Sequence, residues 1–487
     1  MISYKVIDVN GKYDKLLEKS PTGEPYIDKD YIDNTVIERF DECLGNKISK
    51  IIVEWPYYDH DYLSTYYMHY SKKFRNFSKY CYRLHFITYD DKYCGCTILR
   101  PVMYGKRLGR TYLDPSLFVK DEAYIMRATY KVHLNGVEYK ISAFPWMMQD
   151  TDITICAHIS VWTILRYFGS KYTNYLNPPV GDIVENVNEN WGRKTPSIGL
   201  TPIQVADVIG KYGFYPIIRG GDKKNIINLL DEAMAYIESG IPIIAMSESR
   251  QHAFSIIGHG KINKNYLSDK NWINKSKEPG IDSTIILHSR LFSSIYIMDD
   301  NYFPYQQIGK IAREDRNIEY SMTEISYVVI PLYSRMQLEY HEVYNRFIGL
   351  VKYGDMNWSG NRVIRIYITT SNSLKKYYKN LKYVSPVLKK IILQLNMPKF
   401  VWCIDSSTDS EYMETDIKIS GKVIIDATAG TKDVEPWLLL HDNQKIKYYD
   451  VSVNEKKVVQ NIEILPYRGY VHNLDVVKPD CMNEIID

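Results

Sequence analysis

QDTDITICAHISVWTILRYFG, residues 149–169, is the stretch from which the rest of the chain can be read. Its second half is amphipathic. Ala157, Val161, Ile164, Leu165 and Phe168 fall at helical spacing, so the pattern predicts a helix from Cys156 to Phe168, closed by Gly169. A thiol at the first position of a helix faces the free backbone N–H groups and the positive end of the macrodipole, which favour thiolate. Gln149, seven residues upstream, carries an amide N–H that can join the Cys156 backbone N–H as an oxyanion hole.

A nucleophile needs a base. His252 opens the apolar run HAFSIIG (252–258), a strand by length and composition. An imidazole beside a thiol takes its proton and returns it to the leaving group. The strand SIYIM (294–298) ends in Asp299-Asp300-Asn301, and a carboxylate there can orient the ring from its far side. Either Asp299 or Asp300 can be that acid. His158, Trp162 and His259 read as structural. With the capped helix after Thr201-Pro202-Ile203-Gln204, the helix NIINLLDEAMAYIES after Asp222, and strands 241–246, 252–258 and 294–298, helices precede paired strands. That order predicts an α+β domain.

The ordered set Gln149, Cys156, His252 and Asp299 resembles the papain-like cysteine peptidases. The nearest branch is the bacteriocin-processing, double-glycine leader peptidases, and the likeness covers about residues 145–310. It implies an α+β papain-like core, with Cys156 as nucleophile, His252 as base then acid, Asp299 (alternatively Asp300) as orienting group and Gln149 in the oxyanion hole. The expected activity is a cysteine-type hydrolase acting on a protein or peptide. An acyltransferase on the same triad and a silent papain-like binding module remain alternatives. The division expected is 1–140 as a mixed α/β region, 141–332 as the catalytic domain with an insertion at 261–292, and 333–487 as an accessory α/β region. The polar insertion is long enough to be a lid. In a papain-like fold the loop 197–201, before the capped helix, can line the substrate cleft. In the flanking regions the patterns predict an aromatic-rich helix over 61–77, a hairpin over 123–145 turning at Asn135-Gly136, and a helix over 373–396.

Composition narrows the setting. Sixty-one Lys and Arg against fifty-eight Asp and Glu leave a net charge of +3, without the basic stripe of a nucleic-acid binder. No apolar run reaches membrane-spanning length, and MISYKVIDVNGKYDKLLEK lacks the apolar core of a secretory signal. Seven scattered cysteines argue against a disulfide scaffold, so a reduced, cytoplasmic protein is expected. The expected partners are a protein or peptide substrate and, through the flanking regions, a regulatory protein; neither nucleic acid nor membrane is expected. Cys94-Gly-Cys96 has no second ligand pair, so no metal and no cofactor are expected. GKRLGRT (105–111) lacks the ending of a phosphate loop and reads as a solvated turn. The 44 tyrosines against 13 phenylalanines suggest many half-buried rings with the hydroxyl turned to water.

Overall fold

The computed structural model describes residues 2–479 apart from 22, 103–104, 189–198, 222–225, 269–283, 310–319, 354–359 and 431–436. It is a mixed α/β protein of the α+β kind. Near the N-terminus, five antiparallel strands form one sheet in simple order: β1 (Ser3–Asp8), β2 (Ile48–Tyr57), β3 (Cys81–Thr88), β4 (Tyr93–Leu99) and β5 (Leu108–Leu113). Gly95 in β4 has φ +118, and a Cβ there would lie 1.9 Å from the Tyr112 carbonyl oxygen, so only glycine lets the two strands close. Helix α1 (Asn34–Leu44) starts at Asp33, whose carboxylate accepts from the Val36 N–H at 3.2 Å.

Helix α2 covers His60–Met68, and a single 3-10 turn (Tyr70–Lys72) follows it, so the helix expected over 61–77 is shorter. It breaks at His69, where φ is −137 and ψ −58. Asp61 of α2 is a buried hub. It accepts from Trp162 Nε1 at 2.8 Å, from Arg166 Nη2 at 2.9 Å and from the Val180 N–H at 3.2 Å, binding the N-terminal region to the helix that carries Cys156.

The turn at Asn135-Gly136 forms as expected, with φ +47 and +82, the pair a type I′ hairpin requires. The hairpin joins β7 (Ala128–Leu134) to β8 (Val137–Ala143). Residues 123–125, expected within it, form a separate strand instead. This is β6 (Ala123–Ile125), which pairs with the central sheet and with the strand Asp475–Val477.

The central sheet contains β9 (Phe214–Gly220), β10 (Ile243–Ser247), β11 (His252–His259), β13 (Ser294–Met298), β14 (Gln306–Gly309) and β15 (Tyr327–Tyr333). Their order is β14-β13-β11-β10-β15-β9, every neighbouring pair being antiparallel. Against it lies α3 (Cys156–Lys171), buried along most of its length. Gly169 does not end α3. A Cβ there would sit 2.8 Å from the Leu176 carbonyl oxygen, so the glycine admits a close loop instead of stopping the helix. Helix α4 (Val180–Glu185) docks on α2 at Gly181, whose Cβ position is 2.8 Å from Ser64. In α5 (Pro202–Lys211) the capping box is complete: Thr201 Oγ1 accepts from the Gln204 N–H at 3.2 Å, and Gln204 Oε1 from the Thr201 N–H at 2.9 Å. Helix α6 spans Ile226–Glu238; its expected Asp222 cap lies outside the described residues.

A third sheet begins with β12 (Ile285–Leu287), which belongs to the insertion and runs parallel to β16 (Arg362–Thr370). Beyond β16 come β17 (Phe400–Thr408) and the strands Gly421–Asp426, Trp437–His441, Lys445–Asp450 and Glu455–Gln460. The helix expected over 373–396 is two, Ser371–Asn380 and Pro386–Gln394. Pro386 cannot continue a helix from Ser385, which takes ψ 124. One hydrophobic cluster contains Ile7, Trp162, Phe254 and Trp402, so residues of all three chain segments share a core.

The tyrosine expectation fails at the centre. Among the described residues nine of the twelve largest fully buried side chains are tyrosines, and all of these but Tyr70 have hydroxyls hydrogen-bonded inside the protein, as Tyr13 to the Gly45 carbonyl at 2.9 Å and Tyr62 to the Ser78 carbonyl at 2.8 Å. Backbone carbonyls and buried side chains such as Asp405, His288 and His441 take the place that water was expected to fill. No helix among the described residues is long and apolar enough to cross a membrane.

Candidate active site

The segment between Gln149 and Cys156 is folded by one carboxylate. Buried Asp150 accepts from the backbone N–H of Ile153 at 2.9 Å and of Thr154 at 2.8 Å, while its own N–H donates to Thr154 Oγ1 at 2.9 Å. Thr151 takes φ +61 within this tight loop. The loop returns the chain so that Gln149 and Cys156, though seven residues apart, border the same cleft. At the start of α3 the Ile155 N–H donates to His158 Nδ1 at 3.3 Å. Burial lowers the His158 pKa to about 4, so it serves as a neutral cap acceptor.

β11 packs on α3 and presents His252 beside Cys156. His252 Nε2 lies 3.0 Å from the Asp299 carboxylate and 3.9 Å from Asp300 Oδ1, so Asp299 is the nearer acid. With Nε2 committed to Asp299, Nδ1 is the nitrogen left for the thiol and the cleft. Burial opposes charge on the ring, but hydrogen bonds to Asp299 and Cys156 outweigh it and raise the His252 pKa to about 11.

Asp299 is fully buried and held from several sides. Its carboxylate accepts from His252, from the Asn301 N–H at 2.8 Å and from the Tyr320 hydroxyl, and its carbonyl accepts from Trp146 Nε1 at 2.7 Å. Asp300 differs. Both its carboxylate oxygens are buried with no hydrogen-bond partner among the described residues. Burial and the adjacent Asp299 charge raise its pKa to about 7.

Three contributors were not legible as site residues. Asn301 places its side-chain amide 3.5 Å from His252 Nδ1. Its Oδ1 accepts from Lys106 Nζ at 3.1 Å and its carbonyl from Arg39 Nη1 at 2.8 Å, which fixes the amide's orientation. Lys106 belongs to GKRLGRT, which is therefore no solvated turn: Arg107 Nε pairs with buried Asp33 at 2.6 Å and the Gly105 N–H donates to the same oxygen at 3.0 Å. Burial lowers the Lys106 pKa, partly offset by Asp300. The basic, glycine-containing composition was the only signal; its target lies nearly two hundred residues away. Tyr320 had no signal beyond the general tyrosine excess.

Gln149, Ile155, Cys156, Gly199, His252, Asn301 and Tyr320 are among the residues lining an open cleft of about 400 Å³. A larger cavity of about 660 Å³ lies elsewhere, lined by residues such as Tyr172, Arg335 and Lys399, away from the thiol. Of the loop 197–201 expected to border the cleft, Gly199 does so; Ser197 and Ile198 lie outside the described residues. No described residue of the insertion lines the cleft, and its second described part, 284–292, contains β12 of the third sheet. The centre of the insertion, 269–283, lies outside the described residues. Cys94 and Cys96 are buried in the first sheet and belong to no metal-ligand cluster among the described residues.

Fold and site together define the class: an α+β protein with a thiol and an imidazole at one cleft and a buried carboxylate behind the imidazole. No family model, curated protein or solved structure matches the chain.

Proposed function

We propose that the chain is a papain-like cysteine hydrolase that cleaves peptide or isopeptide bonds through Cys156, His252 and Asp299. The reading is carried by His252, whose Nε2 is engaged by buried Asp299 at 3.0 Å while the ring borders the cleft with Cys156. Asp299 holds the ring in the orientation that leaves Nδ1 for sulfur, and stabilises the imidazolium. The sulfur attacks the substrate carbonyl, and a C–S bond forms as the C–O double bond opens to an oxyanion. In this reading the Gln149 amide and the Cys156 backbone N–H, which border the same cleft, hold that oxyanion. His252 protonates the leaving amine as the C–N bond breaks, giving a thioester. His252 then takes a proton from water, which attacks the thioester and releases the acid and the free thiol. The openness of the cleft supports water as acceptor.

The test is exposure of a proteome-derived peptide library to wild type and to Cys156→Ala, with new termini read by mass spectrometry. New C-termini that need Cys156 are expected. Equal product sets from the two proteins would exclude the peptidase reading, and new amide bonds in place of new carboxylates would assign acyl transfer instead.

A further inference from the structure

Outside the cleft, three buried side chains converge from three elements. Glu238 ends α6, His259 ends β11, and His288 opens the single 3-10 turn His288–Leu291 in the insertion. All are at most 5 % exposed. His259 Nε2 lies 2.7 Å and His288 Nε2 3.7 Å from the same oxygen, Glu238 Oε1, and one ligand atom from each residue falls within 4.8 Å of the other two.

The atoms facing away from this point are all held. His259 Nδ1 donates to the Gly260 carbonyl at 2.8 Å, His288 Nδ1 pairs with the Tyr412 hydroxyl, and Glu238 Oε2 accepts from Arg365 Nε and Nη2, each at 2.6 Å. Metal-binding imidazoles and carboxylates are typically anchored in this way by carbonyls, hydroxyls and cations on their outer atoms. The donor pattern points the same way. A carbonyl can only accept, so His259 Nδ1 carries the hydrogen. In a neutral ring Nε2 is then a lone pair, yet it is aimed at another acceptor at 2.7 Å. Glu238 Oε1 adds a further lone pair, since both Arg365 donors are taken by Oε2. A cation belongs between these lone pairs.

We propose that Glu238, His259 and His288 bind a divalent transition metal, with Zn²⁺ the best fit. Two imidazoles and one carboxylate suit zinc, and tetrahedral bonds of about 2.0–2.2 Å put neighbouring ligand atoms about 3.3 Å apart. The observed 2.7 and 3.7 Å bracket that value, so small side-chain rotations complete the geometry. A cavity of about 130 Å³ lined by the same three residues leaves room for water as fourth ligand. His259 is seven residues from His252 on β11, about 23 Å at strand rise, so this metal acts on the fold and not on the thiol. It would pin the insertion to α6 and to the strand that carries His252. The proposal does not depend on the peptidase reading.

The experiment uses full-length protein without a metal-binding tag, stripped of metal by chelator and titrated with ZnSO4. Bound zinc is measured by elemental analysis, thermal unfolding is followed, and Co²⁺ replaces Zn²⁺ for absorption spectroscopy. His252, Asp299 and Asp300 form a second cluster of the same spacing, so His252→Ala is the control. About one zinc per chain is expected in wild type and His252→Ala, with a higher Tm on addition and tetrahedral Co²⁺ bands. Both His288→Ala and Glu238→Gln should lose the bound metal and the Tm shift; Glu238→Gln preserves side-chain volume, so a folded variant is available. The proposal is overturned if folded wild type takes up no zinc. It is equally overturned if both variants keep their zinc, or if the zinc is lost in His252→Ala.

Discussion

Replacing Asp299 with Asn is the most informative single change at the cleft. The substitution keeps the volume but turns one acceptor oxygen into a donor, in a site whose neighbours are His252 Nε2 at 3.0 Å, the Asn301 N–H at 2.8 Å and the Tyr320 hydroxyl. A hydrogen bond to a charged group contributes about 1.5–3 kcal/mol. Lost from the imidazolium, that energy lowers the His252 pKa by about 1–2 units. Lost from the transition state, it slows reaction of the thiol by about 10–150-fold. Two assays read these quantities: histidine-selective ¹⁵N NMR follows the ring against pH, and peptide mapping follows alkylation of Cys156 by iodoacetamide. Competing thiols are suppressed, since burial raises Cys43 to about 11 and Cys403 to about 12. The sign of the stability effect follows from the raised pKa. Stability from charged His252 is full below about 6.5, its unfolded value, and is lost as pH rises through about 11, so the cost of Asp299→Asn shrinks toward alkaline pH. Unchanged titration of His252 together with unchanged alkylation would refute the assignment of Asp299 as the orienting acid.

Three further outcomes follow from the same geometry. Asp300 takes a proton in the folded state up to about pH 7 but unfolded only to about 3.8, so wild-type stability falls as pH rises through that window. Asp300→Asn should remove the fall, its advantage in urea unfolding growing between pH 5 and pH 8 by up to a few kcal/mol; parallel curves would contradict the buried, unpartnered carboxylate. Lys106→Met frees the Asn301 amide and should slow Cys156 alkylation about 2–12-fold, the loss of one hydrogen bond of about 0.5–1.5 kcal/mol, and an unchanged rate would remove Lys106 from the site. Asp61→Ala strands Arg166 in the core and should cost about 3–5 kcal/mol in urea denaturation; a loss below about 1 kcal/mol would mean that Asp61 does not bind the N-terminal region to α3.

What could be read from the sequence was local. Cys156 at a helix start, the Thr201 capping box and the Asn135-Gly136 turn each depend on a few adjacent residues, and each has its expected local form. The four residues singled out for chemistry also come together, with Gln149, Cys156 and His252 at the cleft and Asp299 behind the ring. Features set by distant contacts were not legible. Gly169 looked like a stop because glycine often ends helices, whereas here Leu176 requires it. β12 reads as part of a loop because its parallel partner, β16, lies far along the chain. Lys106 reads as solvated because the amide it holds, Asn301, is brought to it only by docking of the first sheet.

The most direct test of the central account is the intact mass of the protein after reaction with a peptidyl vinyl sulfone, an electrophile that adds to an activated thiol. Wild type should gain one adduct, mapped to Cys156, while His252→Ala and Cys156→Ala gain none under the same conditions. Equal labelling of wild type and His252→Ala, or an adduct on another cysteine, would contradict it.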